Sequence, residues 1–551
     1  MFAVRRRSRV ATVVGAVVLA LTMAACGSGT SSTGTTDQSQ VVVGIPSDVN
    51  SLDPANTLGS QDQELVLNLY DRLVNLKMHP GPDGTQVWDG LEVTPGLATS
   101  WDVAGPTITF HLRDDVTFPG SGNKMTANDV KWSFERLPAV GGNGKNQAGV
   151  AGLRDGNQIQ VIDDHTVSIT FTDPSGAPAQ LPVSLPNLRF LQFGVIDSQV
   201  AKQHVTAEDP WASDWLSKNV AGTGPYTIES RQPGQQIVLK AVTPRWNGTD
   251  PAYKTVVLRI TGDADPVGLM KTGVVDYVST GVTGRQFDDL AANGFTVVNQ
   301  QVADILRMDV STETGPTADP RVRQAIAYAT PYDQIISSAF SGRGQRAHTV
   351  LNPQDPFGTK DWDRYQTDLD KARALLAEAG TGPVTVKLWY NADVAYNEDT
   401  ALLMQQSFAQ AGITLDLQAR PGSQLQTMWK GHINGGNPEM TGIYLSNATI
   451  WLDDPDTFMQ QWATTQGASN WARYSDPEVD ALQQQFRFSS DEAGRKAAYA
   501  TIQGKIAESA HQIPIAVLGR TVAVSPDVTG VAFGPEPYAR LEYLSPKPAT
   551  S

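Results

Sequence analysis

The chain has 551 residues, 40% hydrophobic and 18% charged, with 42 basic against 57 acidic side chains and a formal net charge of −15. That length allows more than one domain and substantial cores, while the acidic balance argues against nucleic acid, whose binders carry basic patches, and against anionic lipid surfaces. A single cysteine, Cys26, excludes an intramolecular disulfide and a cysteine-rich metal site.

Met1–Arg9 carries Arg5, Arg6, Arg7 and Arg9 and no acid; Val10–Met23 is uncharged and mostly apolar; Ala24 and Ala25 are small. This three-part order reads as an export signal over residues 1–25. The apolar run is shorter than the roughly 20 residues that a spanning helix needs. Arg6-Arg7 leaves twin-arginine export open beside the general secretory route, although the residues after the pair fit that pattern poorly. Leu21-Thr22-Met23-Ala24-Ala25-Cys26-Gly27 resembles a bacterial lipobox, with Met23 where Leu is more usual. The resemblance implies cleavage before Cys26, lipid on Cys26, and an extracytoplasmic protein anchored to the cell membrane. Gly27–Gln40, rich in Gly, Ser and Thr, completes a lipidated flexible tether over residues 26–40, and the folded body is expected from Val41.

Val41–Pro46 reads as a first strand ended by proline. Gln61–Val74, with Leu65, Leu69 and Leu73 at helical spacing, predicts a helix. Thr107–Leu112 alternates as a strand does, and Thr126 followed by Asp129 marks a helix start before Val130, Phe134 and Leu137. Strands are predicted at Gln158–Ile162, Thr166–Phe171, Gln236–Val242 and Thr255–Ile260, and a second block opens at Leu306–Val310. In that block Asp319-Pro320, Asp368 and Asp476-Pro477 each open a helix, Gly380 stops one, and strands lie at Val384–Tyr390 and Ile413–Gln418. Mixed helices and strands place the chain in the α/β or α+β class.

Catalytic motifs are weak. His79, His111, His165, His204, His348, His432 and His511 form no H-x-x-x-H or H-E-x-x-H pair. Phe118–Lys124, "FPGSGNK", lacks the Gly-Lys-Ser/Thr ending of a phosphate loop and reads as a turn. Gly222–Tyr226, "GTGPY", leads into a strand and lacks dinucleotide spacing. No G-x-S-x-G elbow occurs.

Six stretches, in order, resemble the family 5 extracytoplasmic solute-binding proteins of ABC importers, the peptide/nickel group: Ser51–Ala55, Thr94–Leu137, Gly222–Tyr226, Asp319–Ala329, Asp370–Gly380 and Ser475–Leu482. The longest, "TPGLATSWDVAGPTITFHLRDDVTFPGSGNKMTANDVKWSFERL", carries the P-x-L-A-x-S-W and following strand pattern of that family. The resemblance implies an α/β, two-lobed periplasmic-binding-protein-like fold with an extra subdomain inserted in the first lobe. Carried over, lobe one is residues 41–303 with the insertion at 80–189, lobe two is 304–513, and 514–551 returns to lobe one. It also implies a non-enzymatic monomer without a cofactor, which binds a small solute by hinge closure and delivers it to membrane permease subunits.

Peptide-binding relatives hold the peptide's ammonium with a lobe-two Asp in a pattern like W-x-x-D-x-x-D-P. The matching stretch here is Thr449–Phe458, "TIWLDDPDTF". Without gaps Trp451 falls at the anchor position, which favours a sugar or a capped peptide; with gaps Asp453 takes it and a peptide is kept. Asp454-Pro455-Asp456 reads as a helix cap. By matched position the other ligand contacts are Asn50 and Asp53 after the first strand, and Tyr390 and Asn391 after a lobe-two strand. The resemblance implies an oligopeptide as the solute. Oligosaccharide, metallophore or haem remain alternatives within the class, and a secreted hydrolase or a tethered structural protein outside it.

Overall fold

The computed structural model describes residues 39–548 apart from 58, 174–175, 177–183, 354, 434–438 and 450–453. The leader and tether, including Cys26, and both Trp451 and Asp453 lie outside the described residues.

Among the described residues, eleven strands form one mixed sheet. From one edge the order is Ile413–Arg420, Val384–Asn391, Ile443–Thr449, Thr296–Val310, Gln512–Val524, Tyr277–Val278, Gln40–Ile45, Thr255–Ile260, Gln236–Ala241 and Tyr226–Gln232, with Gly344–Arg346 beside Gln512–Val524. The first strand, "QVVVGI", is β-branched and buries Val41, Val43 and Ile45 on one face. Thr255–Ile260 pairs with it in parallel.

Two cores flank the middle of this sheet. One gathers Val41, Val43, Leu65, Leu69, Tyr226, Leu239 and Val256 with Val298, Val302, Val522 and Val524. The other gathers Ile305, Leu306, Val322, Ile326, Leu388, Phe408, Tyr499 and Ile506 with Val517 and Leu518. Among the described residues, only Thr296–Val310 and Gln512–Val524, antiparallel partners from Thr296 opposite Val524 to Asp309 opposite Gln512, contribute to both. Their register slips between Gln301 and Asp304, where the core changes hands, and such an irregularity bends a strand and increases its twist.

A third core belongs to a four-stranded sheet, ordered Ala98–Ala104, Thr107–Leu112, Thr166–Thr170 and Ile159–Asp163, covered by helix Ala127–Val140. The start of that helix is as expected: the Asp129 carboxylate accepts the Thr126 N–H at 2.8 Å. Asp319, Asp368 and Asp476 likewise cap their helices through side-chain oxygens.

The helix expected over Gln61–Val74 stops early, at Leu69, and Val74 instead begins a strand. Tyr70 is extended, and Arg72 turns back to donate to the carbonyls of Leu67 at 3.1 Å and Tyr70 at 2.6 Å. Asp71 is held by Arg245 and the Trp246 indole, so these two polar residues are buried where a continued helix would not take them. The glycines of "GTGPY" explain the rest: Gly224 N–H donates to Leu69 O at 3.0 Å, and a Cβ on Gly224 would sit 2.3 Å from the Leu69 carbonyl carbon.

Candidate functional site: the cleft between the lobes

Three adjoining cavities open where the two cores meet, of about 550, 380 and 110 Å³. Arg520 lines all three. The largest also takes Ser60, Pro537 and Tyr538 from the first lobe and Asp304 from the long strand. Tyr396, Asn391, Asn397, Trp429, Tyr444, Asn447 and Trp471 come from the second lobe. The volume is that of a small-molecule site, and its position between two halves is where such sites collect.

Arg520 is the one charged side chain in an otherwise uncharged strand, "QIPIAVLGRTVAV". It is half-buried, and Nη2 donates to the hydroxyls of Ser279 at 3.3 Å and Thr280 at 3.1 Å. Its Nε is buried without a hydrogen-bond partner, and among the described residues no carboxylate forms an ion pair with it.

Glu64 reaches the smallest cavity from helix Ser60–Leu69. One of its oxygens accepts the Ala539 N–H at 3.2 Å. Burial raises its carboxyl above the ordinary glutamate value, and the nearby Arg520 charge opposes that rise. Asp304 accepts from the Asn447 amide at 3.2 Å, and the same amide donates to Tyr396 Oη at 2.8 Å. Burial, and then the Asp304 charge, push the Tyr396 phenol up. The cleft therefore offers both signs of charge close together, ringed by amides and hydroxyls. This equips it to orient a small polar solute.

The expected contact residues divide. Asn391 lines the largest cavity, its Oδ1 accepting the Asp393 N–H at 2.9 Å. Tyr390, one residue earlier, points the other way into the second core. Asn50 is exposed and lines none of the three cavities; its N–H donates to Asp62 at 2.7 Å. Asp53 is fully buried away from the cleft. Both its oxygens take Arg136, at 2.7 and 2.8 Å, and Oδ1 also caps a short turn through Ala55 N–H. Asp454 caps Pro455–Phe458 and pairs with Arg495 at 3.0 Å. Asp456 is buried with Arg487, Gln483 and Tyr499.

Glu64, Arg520, Tyr396, Trp429 and Trp471 escaped sequence reasoning. A readable signal existed for Arg520, a lone charge in a strand that is otherwise mostly apolar and β-branched. Glu64 is ordinary in sequence, because one acid on a helix face is the common case.

A site between two lobes that two long strands cross together defines a solute receptor of the two-lobed α/β class. The chain belongs to the bacterial extracellular solute-binding proteins, family 5, whose model matches residues 92–470. It is similar to a protein named probable D,D-dipeptide-binding periplasmic protein DdpA from Escherichia coli, 27% identical over 90% of this chain and 92% of that one. It is likewise similar to a dipeptide-binding protein of the same organism, 26% identical over 87% and 89%. Among solved structures, the ABC transporter substrate-binding protein CtaP of Listeria monocytogenes matches with a TM-score of 0.80 at 22% identity, over 93% of this chain and all of the other. A dipeptide-binding protein from Pseudoalteromonas, solved with Met-Leu, matches at 0.75 and 22%, over 92% and 100%. No helix among the described residues is long and apolar enough to cross a membrane.

Proposed function

We propose that this protein captures short peptides outside the cytoplasmic membrane and delivers them to the permease of an ABC importer. The observation that carries the reading is the cleft itself. Arg520 and the carboxylates of Glu64 and Asp304 stand close together in a volume of small-ligand size, and a peptide is a polar chain with one charge of each sign. The relatives named for dipeptides support the same solute class.

Closure brings both lobes onto the ligand, and only contacts that favour the closed form stabilise it. The lobes are assigned to residues 41–303 with an insertion at 80–189, 304–513, and 514–551 returning to the first. Bending is assigned to the two long strands near their register slip. Asn391 belongs to the binding wall, and either Asp453 or Trp451 completes it from the second lobe. Cys26 carries the lipid that keeps the mature receptor beside its permease, since stable anchoring takes more than one acyl chain. Replacing Cys26 with Ser is expected to release the protein into the medium or leave it uncleaved.

The test is thermal unfolding of the mature protein with a panel of di- to tetrapeptides. A true ligand at about 100 times its Kd adds about 2.7 kcal/mol, a clear rise in Tm. If no peptide raises Tm, and mass spectrometry finds a sugar, metallophore or haem carried through purification, the peptide reading falls and the receptor reading stands.

A further inference from the structure

The second-lobe wall of the cleft carries an aromatic group that the charge argument leaves unused. Trp429 comes from helix Gly422–Ile433, Tyr444 from strand Ile443–Thr449, and Trp471 from the loop ahead of helix Pro477–Phe486. All three line the largest cavity. Trp429 and Trp471 stack with centroids 4.4 Å apart and planes 13° off parallel, and Tyr444 meets Trp471 edge to face at 5.0 Å. Leu425, Trp389 and Met440 back them into a small core.

That core differs from an ordinary one in its polar tips. The Trp389 indole donates to Thr441 O at 3.0 Å. The indole N–H groups of Trp429 and Trp471 have no hydrogen-bond partner among the described residues, and neither is among the buried unpaired atoms. Both N–H groups therefore keep some access to solvent beside the cavity that their residues line, and a ligand that enters it can reach them. The facing surfaces of the two indoles are taken up by each other, which leaves no room between them for a flat sugar ring. Ring edges carry the positive part of the aromatic quadrupole and suit the face of another aromatic ring. Asn391, Asn397, Gln426 and Asn447 add amides to the lining of the same cavity, while its formal charges, Asp304 and Arg520, sit on the long strands.

We infer that Trp429, Tyr444 and Trp471 form a side-chain subsite that makes this receptor prefer peptides carrying an aromatic residue. The inference rests on the peptide reading and adds a selectivity to it. Charged main-chain ends are held near the crossing strands, and the ring packs against the indole edges.

Calorimetric titration of the mature protein with trialanine and its three single-Phe variants tests this without assuming a register. At least one Phe peptide is expected to bind about tenfold or more tighter than trialanine, from apolar burial and ring contact together. Trp471→Ala is expected to erase that ratio, and Trp471→Phe to keep most of it. Trp471→Leu, which retains apolar volume, guards against a variant that merely fails to fold. A ratio near one in the native protein, or a ratio unchanged in both Trp471→Ala and Trp471→Leu, overturns the subsite and leaves peptide binding intact. Failure of all four peptides to bind overturns this inference, while the panel of di- to tetrapeptides decides the peptide reading separately.

Discussion

Asp53 and Glu64 flank the same short stretch of chain, and the fold uses them in opposite ways. Asp53 is sealed, with both oxygens on the Arg136 guanidinium and no exposure on either partner. Glu64 hands one oxygen to a backbone N–H and lines a cavity beside Arg520. A carboxylate with both oxygens on a core guanidinium holds elements together; the helix Ala127–Val140 is tied to the first lobe in this way. A charge only part-matched at a cavity is available to something that arrives. Asp71 with Arg245 and Asp454 with Arg495 fall on the first side, Arg520 on the second.

The strongest way to break this contrast is to remove one sealed partner. Arg136→Ala strands the Asp53 carboxylate, and a loss of about 3–5 kcal/mol is expected in urea unfolding, because breaking a buried pair leaves an unpaired buried charge. A loss below about 1 kcal/mol, the range of exposed pairs, would place Asp53 with the available charges.

Next comes the support beneath Glu64. Gly224→Ala drives a methyl into the Leu69 backbone at the end of the helix that carries Ser60 and Glu64 to the cleft. Overpacking of this kind costs about 1–3 kcal/mol, read as a fall in Tm, and peptide affinity is expected to weaken with it.

Arg520→Gln sharpens the other side. Ligand affinity is expected to fall about tenfold or more, since a hydrogen bond to a charged group contributes about 1.5–3 kcal/mol. Stability of the free protein is expected to stay within about 1 kcal/mol. Calorimetry and urea unfolding on the same sample separate the two, and a large stability loss with unchanged affinity would reverse the assignment.

The smallest effect is a pH dependence. The folded Glu64 pKa is raised, so the native state holds this proton more tightly than the unfolded chain does. The resulting stability is fully present below the unfolded pKa and is lost as pH rises through the folded pKa. Glu64→Gln is expected to remove that downward step from the Tm profile on the alkaline side of the unfolded value. An identical profile in both proteins would show that Glu64 is solvated like any surface acid.

Much of the scaffold was legible because its signals are local. Thr126 with Asp129, and Asp319, Asp368 and Asp476, announce helix starts through atoms within three residues of one another. Thr107–Leu112 shows its strand by alternation alone. The end of the helix at Leu69 was hidden because its causes are distant: Arg245, Trp246 and the glycines at 222 and 224. The site was least legible. Asp53 stood at a position matched to ligand contacts, yet Arg136, far along the chain, seals it. Glu64 and Arg520 meet only because strand Gln512–Val524 returns beside the first lobe, and Trp429 and Trp471 only because a loop folds back on a helix. Such pairings carry no periodicity that a single chain displays.

A small solute that binds between the lobes is expected to draw them together. Small-angle scattering of the mature protein, with and without a saturating peptide whose binding calorimetry has established, tests it most directly. The radius of gyration is expected to fall on binding, and to do so at the calorimetric stoichiometry. A peptide that binds while the radius of gyration stays the same would contradict closure around the ligand.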